Sequence, residues 1–155
     1  MEIVLSAKST FLFAISFGLI AFACNPARKA GSNNISTEDG AAGLTNSKWK
    51  LVELYGQPVA EKINDKEPFL QFLTKDSRYS ASGGCNTING TFTLPGNNRI
   101  HFSQGMSTLM ACENMDVESR LIKVLETADN YSLSENTLTL NKARMAPLAR
   151  FQRVE

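Results

Sequence analysis

The chain has 155 residues, of which 43% are hydrophobic and 20% are charged, and its formal net charge is +1 at pH 7. This length allows one ordinary domain with an N-terminal extension, and the composition is that of a globular protein. A net charge this small gives no strong field to attract nucleic acid, so we expect no nucleic-acid partner, and the scattered charges indicate solvated faces.

The N-terminal residues have the features of an export signal. Lys8 precedes an apolar run from Phe11 to Phe22. As a helix this run would span about 18 Å, which is too short to cross a hydrocarbon core of about 30 Å. Its length is typical of the hydrophobic part of a secretory signal. The sequence therefore predicts a signal peptide over residues 1–23.

Cys24 follows Ala21-Phe22-Ala23, and small residues directly before a cysteine resemble the lipobox of bacterial lipoproteins. The resemblance implies that Cys24 is acylated and becomes the first residue of the mature protein. Two or three acyl chains would hold the protein stably to a membrane. Because Asn25 rather than an aspartate comes next, the resemblance favours the outer membrane of a bacterial cell envelope. A plain secreted protein cut after Ala23 is the alternative.

Residues 25–46 are rich in Gly, Ser and Asn and contain no aromatic residue. Such a composition buries too little apolar surface to offset the entropy lost on ordering. We therefore predict that residues 24–46 comprise the lipidated Cys24 and a flexible linker, with a reach of roughly 25 Å. The linker would hold the folded domain, expected over residues 47–155, near the membrane without fixing its orientation.

Short alternating segments separated by turn residues predict a series of β-strands. In chain order the strands are predicted at Trp49–Leu54, Phe69–Leu73, Arg78–Ser82, Thr91–Leu94, Arg99–Phe102, Tyr131–Leu133, Thr137–Leu140 and Leu148–Phe151. Turns are predicted at Gly56–Pro58, Lys75–Ser77, Pro95–Asn98 and Ser134–Asn136. A short apolar piece, residues 106–110, follows the fifth strand.

One segment has the period of a helix, with Asn114 as its predicted N-cap. The apolar residues on one face are Val117, Leu121, Val124, Leu125 and Ala128, and the opposite face carries Arg120, Lys123 and Glu126. Asp116 and Glu118 fall in the first turn, where the helix dipole favours acidic side chains. We therefore expect this helix to pack one side onto a sheet.

Many strands with short connections and a single helix predict an α+β fold. We expect a mainly antiparallel sheet, strongly curved or closed as a small barrel, with one packed helix. The stretch Gly83–Phe92 places three glycines and two asparagines around Cys85. Because glycine takes positive φ without steric cost, we expect this stretch to form a tight crossing between two strands. We also expect it to meet the segment Ser107–Cys112 in space.

Together with Trp49, the helix and a closing Leu-x-x-Phe, these two segments resemble the META domain (HslJ-like) family over about residues 47–154. The residues of the family motif are Gly84, Cys85, Asn86, Gly90, Met110, Ala111 and Cys112. The resemblance implies a bacterial envelope lipoprotein associated with stress response and drug tolerance. The family has no agreed catalytic residues, so the resemblance supports fold and location rather than a mechanism.

If Cys24 is acylated, Cys85 and Cys112 are the two cysteines that remain. An even pair in an exported domain is most simply a disulfide, which would stabilise the fold by roughly 3–4 kcal/mol on the chain-entropy model. Two buried thiols that act as small apolar residues are the competing interpretation. A catalytic thiol is less favoured, because the chain has no Cys-x-x-Cys pair.

Few other residues suggest chemistry. His101 could pair with Cys85, but its place in an alternating strand favours an exposed side chain, and the sequence offers no third orienting group. The cysteines and histidine have no zinc-site spacing. A cluster with soft sulfur atoms could bind copper, although methionines more often fill an irregular core; it comprises Met106, Met110, Cys112 and Met115. We therefore expect no catalytic residue, metal or cofactor.

Three functions stay open. The first is a non-enzymatic envelope lipoprotein of the META type, a binding or stress-related accessory protein whose partners are the membrane and an envelope protein. The second is a carrier for a small apolar ligand, such as a lipid chain, inside a barrel. The third is a thiol-dependent enzyme that uses Cys85. An apolar cavity would favour the carrier, a reduced Cys85 near His101 the enzyme, and a closed core with a disulfide the accessory protein.

Overall fold

The computed structural model describes residues 42–45, 47–144 and 146–154. The predicted signal peptide, the lipidation site Cys24 and most of the predicted linker lie outside this part of the chain. The strands are β1 (Lys48–Leu54), β2 (Gln57–Pro58), β3 (Phe69–Leu73), β4 (Arg78–Ser82), β5 (Thr87–Gly96), β6 (Arg99–Phe102), β7 (Met106–Ser107), β8 (Asn130–Ser134), β9 (Thr137–Asn141) and β10 (Ala149–Val154). One α-helix, α1, spans Asp116–Thr127, and a 3-10 turn, Lys75–Ser77, connects β3 to β4.

Eight of the strands form a closed antiparallel barrel. They pair in the order β1, β3, β4, β5, β6, β8, β9, β10, and β10 also pairs with β1 to close the ring. The two-residue strands β2 and β7 pair with β1 and β5. The structure is thus the closed form of the predicted antiparallel sheet, mostly β with a small helical part. No helix in the described ranges is both long enough and apolar enough to cross a membrane.

Side chains fill the interior of the barrel. Trp49 and Leu51 project inward from β1 and are buried, following the alternation predicted for this strand. A bulge between Leu51 and Glu53 breaks the alternation, and Leu54 is buried beyond it. The ring of Phe72 packs edge-on against that of Phe92, with centroids 5.0 Å apart. The other fully buried large side chains include Tyr79, Phe151, Leu70, Ile100, Leu121, Leu138 and Leu140. A core packed in this way argues against a lipid chain inside the barrel, since small barrels hold ligands only where side chains leave room.

The chain enters the barrel at the end opposite to α1. At the start of β1, the Trp49 Nε1–H donates to the carbonyl of Leu44 at 3.0 Å, and the Arg153 guanidinium donates to the carbonyl of Gly43 at 2.7 Å. At the other end of β1, the guanidinium of Arg120 in α1 donates to the carbonyl of Leu54 at 3.2 Å. The N-terminal turn and the helix therefore lie at the two ends of the same strand.

The domain begins before Ser47, which corrects the expected boundary. Residues 42–44 form a helical turn, and the side chain of Leu44 is 0% exposed. Leu44 belongs to the same hydrophobic cluster as Trp49 and Phe151. The polar composition around residue 44 does not indicate this contact. One buried leucine is nonetheless enough to hold a short segment against a core.

Two predicted turns have different bounds. Tyr55 and Gly56 both have positive φ and make the turn after β1, so that Gln57–Pro58 pairs back onto β1 as β2 instead of turning. The predicted glycine crossing is also shorter than expected. It covers only residues 83–86, because β5 already begins at Thr87 and pairs with β4.

Candidate functional site

The crossing between β4 and β5 passes directly beneath α1. A Cβ at Gly83 would lie 2.3 Å from the Cα of Glu118, so only glycine fits at this contact. The next residue, Gly84, has φ of +104°, and a Cβ there would lie 2.5 Å from the Cβ of Ile63. Its N–H donates to the Oγ of Ser82 at 3.1 Å. These two glycines bring Cys85 and Asn86 against both the helix and the segment that precedes it.

A disulfide joins Cys85 to Cys112, as the sequence predicted, with the two Cα atoms 6.0 Å apart. Cys85 is buried and its sulfur is bonded to that of Cys112, so Cys85 is not a free thiol that could pair with His101, and Cys112 is not a free thiol that could bind copper. His101 lies on β6 opposite Thr93, and its side chain is exposed. Within the described residues no cluster of three or more His, Cys, Asp or Glu side chains could hold a metal ion.

The side chain of Asn86 binds the segment between β7 and the disulfide. Its Oδ1 accepts hydrogen bonds from the N–H of Met110 at 2.7 Å and from the hydroxyl of Thr108 at 2.8 Å. Its Nδ2 donates to the carbonyl of Met110 at 3.1 Å. One asparagine therefore binds both the N–H and the carbonyl of Met110, as the backbone of a neighbouring strand would.

Glu118 is the buried acid of the site, with only 2% of its surface exposed. Its two carboxylate oxygens accept from the backbone N–H of Asn86 at 2.5 Å and from the Asn86 Nδ2 at 2.9 Å. The sequence analysis placed Glu118 in the first helical turn without assigning it a partner. The signal was present, because Glu118 precedes Leu121 and Leu125 by three and seven residues and so shares their buried face.

A second asparagine fixes the far end of the same segment. Asn64 exchanges two hydrogen bonds with the backbone of Asn114: its Nδ2 donates to the carbonyl at 2.8 Å, and its Oδ1 accepts from the N–H at 3.2 Å. Beside it, the Lys66 ammonium donates to the carbonyl of Cys85 at 2.9 Å. Asn64 and Asn114 are 50 residues apart, and no local pattern in the sequence reveals this contact.

Asn114 was the predicted N-cap, but the helix begins one residue later. The helix N-cap is Met115, and the Oδ1 of Asn114 accepts from the N–H of Asp116 at 3.1 Å. Asn114 thus still satisfies an N–H of the first helical turn, from just outside the helix.

Three large apolar side chains project into solvent from the segment that these contacts hold. Met106 is 76% exposed, Leu109 is 99% exposed and Met110 is 55% exposed. We call residues 106–110 the apolar loop. For Met106 and Met110, the interpretation that the methionines fill an irregular core is wrong, because both side chains are exposed and Met110 contacts Asn86 through its backbone.

A cavity of about 150 Å³ lies beside the apolar loop, between α1 and the segment 103–107. Its buried lining includes Tyr79, Ile88 and Leu125, and the exposed side chain of Glu126 lines it as well. The Tyr79 hydroxyl donates to the carbonyl of Ser103 at 3.1 Å. Burial raises the pKa of Tyr79, and the negative charge of Glu126 raises it further. The cavity is therefore lined by both apolar and polar side chains, and Glu126 adds a carboxylate to the lining.

The structure brings most of the predicted motif residues together. Gly84, Cys85 and Asn86 of the crossing meet Met110 and the disulfide partner Cys112. Ala111 lies between the last two and is exposed. Gly90 lies apart, inside β5 opposite Tyr79, where a Cβ would come within 2.6 Å of the tyrosine ring. Its role is to make room for that ring.

The closed barrel, its helix and a disulfide-linked segment define a small β-barrel domain. The family model of the META domain matches residues 42–155. The chain belongs to the META domain family, and the match includes the N-terminal turn that carries Leu44. A search of curated proteins found no match.

Solved structures share the fold at low sequence identity. An NMR structure of a protein from Burkholderia xenovorans has a TM-score of 0.58 at 22% identity, over 74% of this chain and 88% of that chain. A second NMR structure has a TM-score of 0.57 at 22% identity, over 72% and 92% of the two chains. A crystal structure of a DUF4847 family protein from Bacteroides vulgatus has a TM-score of 0.51 at 17% identity, over 70% and 93%. These likenesses concern the fold alone.

Proposed function

We propose that the protein is a non-enzymatic lipoprotein of the bacterial cell envelope, an accessory protein whose barrel presents the apolar loop to a partner. The observation that carries this proposal is that the disulfide and the buried polar groups of the site are bonded to protein atoms, while the apolar loop beside them is exposed. The disulfide, the Asn86 side chain and the Glu118 carboxylate each bind protein atoms. The large apolar side chains that the site exposes to solvent are those of Met106, Leu109 and Met110.

Exposed apolar side chains this close together support a binding role. Three of them fall within five residues, whereas large apolar side chains scattered singly on a surface need no explanation. The loop is also held in place by the disulfide at Cys112 and by two hydrogen bonds between Asn86 and the backbone of Met110. A surface that is already ordered loses less conformational entropy when a partner binds.

The membrane anchor rests on the sequence that ends at Cys24. In this proposal, acylation of Cys24 keeps the domain in the envelope, where an oxidising compartment maintains the Cys85–Cys112 disulfide. Cys24→Ser should abolish lipid labelling and move the protein from the membrane fraction to the soluble fraction of bacterial cells. Unchanged lipid labelling of this variant would contradict the anchor.

The binding role has its own test. A photo-crosslinking residue at position 109 should give one discrete adduct with an envelope protein in intact cells. The matched control is the same residue at position 73, because Leu73 is also exposed but lies on β3, outside the apolar loop. Equal crosslinking from both positions, or none from position 109, would contradict the proposal.

A further inference from the structure

We propose that the outer edge of β7 and the adjoining cavity bind an extended segment of a partner polypeptide, with one apolar side chain in the cavity and a Lys or Arg beside Glu126. This inference rests on the proposed function, since it specifies what the apolar loop binds and how.

The first observation is an open strand edge. β6 and β7 both pair with β5, at Phe92 and Thr93 for β6 and at Ile88 and Asn89 for β7. On its other side β6 pairs with β8 only at Arg99, and no strand of the described chain pairs with the outer edge of β7. An unpaired edge is a template for an added strand, and extended peptides bind other domains in this way.

The second observation is the size of the cavity. Its volume of about 150 Å³ is well below the roughly 300–1,000 Å³ of a typical small-molecule pocket. A cavity of about this volume has room for a benzene-sized group. Its lining is mixed: Ile88, Ile122 and Leu125 are apolar, whereas Ser103, Gln104, Ser107 and Glu126 are polar. The cavity adjoins β7, since Gly105 and Ser107 contribute to its lining. A single leucine or phenylalanine side chain projecting from an added strand therefore suits it.

The third observation is charge. Glu126 is exposed and lines the cavity, and no Lys or Arg within the described ranges forms an ion pair with it. Lys123 lies one turn away on α1 and also forms no ion pair with Glu126 in the described part of the chain. A basic side chain of the partner would complement this carboxylate. Because residues i and i+2 of a strand share a face, we expect the basic residue two positions from the apolar one.

The proposed edge and the N-terminal turn lie at opposite ends of the barrel. β7 pairs with the start of β5, which in this antiparallel barrel lies at the same end as the last residue of β1. Gly43 and Leu44 lie at the other end, where β1 starts. The chain that leads back to Cys24 therefore leaves the domain at the end away from the proposed edge.

The test uses the full mature chain in its unacylated Cys24→Ser form and a library of random linear twelve-residue peptides. Selected peptides should share an apolar residue with Lys or Arg two positions away. For one synthetic selected peptide, Glu126→Lys should weaken binding at least tenfold, and proline at the central peptide position should abolish it. Leu73→Ser, an exposed change elsewhere on the barrel, should leave the dissociation constant within twofold.

A second variant tests the cavity itself. Ile122→Trp should fill it and weaken binding at least tenfold, with an unchanged melting temperature as the check on folding. No selected peptide, or selected peptides that bind the Glu126→Lys variant as tightly, would overturn the inference. Binding to phosphatidylethanolamine and phosphatidylglycerol vesicles without binding to any peptide would also overturn it. Peptide binding seen only after residues 24–41 are removed would overturn it as well, because that result would identify the removed segment as the occupant of the edge. A discrete crosslink from position 109 without any selected peptide would overturn this inference and leave the proposed function standing.

Discussion

Glu118 and Asn86 are joined by two hydrogen bonds, from the Asn86 backbone N–H to Oε2 at 2.5 Å and from the Asn86 Nδ2 to Oε1 at 2.9 Å. Both residues are buried. Asn86 uses its remaining groups to bind Thr108 and Met110. The helix, the crossing between β4 and β5, and the apolar loop are therefore connected through one asparagine.

Glu118→Gln should lower the free energy of unfolding by about 1–3 kcal/mol, because an amide has one acceptor oxygen where the carboxylate has two, so one Asn86 donor is left without a partner. Urea unfolding measures the change. Glu126→Gln is the matched control on the exposed part of the same helix and should change the stability by less than about 0.5 kcal/mol. Equal effects from the two variants would contradict the role of Glu118.

Cys85→Ser and Cys112→Ser should each lower the stability of the unacylated protein by about 3.5 kcal/mol, the chain-entropy value for a loop of this length. The two cysteines are 27 residues apart. The double variant should be about as unstable as either single variant, because all three lose the same bond. Unfolding curves and mass spectrometry of the non-reduced protein measure this. Additive losses, or two thiols that react with an alkylating agent before reduction, would contradict a structural disulfide.

Leu44→Ala should lower the free energy of unfolding by about 2–5 kcal/mol, as expected for a leucine removed from a packed core. A chain that begins at Ser47 should melt well below one that begins at residue 42, because it also loses the carbonyl acceptors of Trp49 and Arg153. Thermal unfolding of the two truncated proteins makes the comparison. Equal melting temperatures would restore the boundary expected from the sequence.

Asp129 should make the fold sensitive to acid. The backbone N–H of Ala143 donates to its carboxylate and lowers the pKa of Asp129, with further lowering from Asn130 and Arg99. A carboxyl whose pKa is lower in the folded state adds stability above its unfolded pKa of about 3.9, and this stability is lost as the pH falls through the folded pKa.

Asp129→Asn should therefore be less stable than the parent protein at pH 7, and its stability should fall less steeply below about pH 4. Urea unfolding across this range measures both. Glu135→Gln, in the exposed turn between β8 and β9, is the control and should keep the parent's pH profile. A parent-like slope for Asp129→Asn would contradict the assignment.

The alternating strands could be predicted from the sequence because one face of each strand is buried. β3, β4 and β6 have the predicted bounds, and the buried face of α1 follows its apolar period. The number of cysteines and the expected export of the chain together indicated the Cys85–Cys112 pair, which the structure confirms. Two features could not be predicted without knowledge of the fold. They are the contact of Asn64 with Asn114 and the outward direction of the Met106 and Met110 side chains. Both depend on where distant backbone segments meet, and side-chain type alone carries no information about that.

The closure of the barrel has a consequence for how the chain folds. Arg153, in the last strand, binds Gly43, 110 residues earlier, whereas the disulfide encloses a segment of only 27 residues. Contacts between distant residues form slowly, because a long loop must close before they are gained. In a chain that emerges N-terminus first during synthesis, β1 is therefore an open edge until β10 arrives. The new chain should therefore remain most accessible to proteases and most prone to aggregation until β10 pairs with β1.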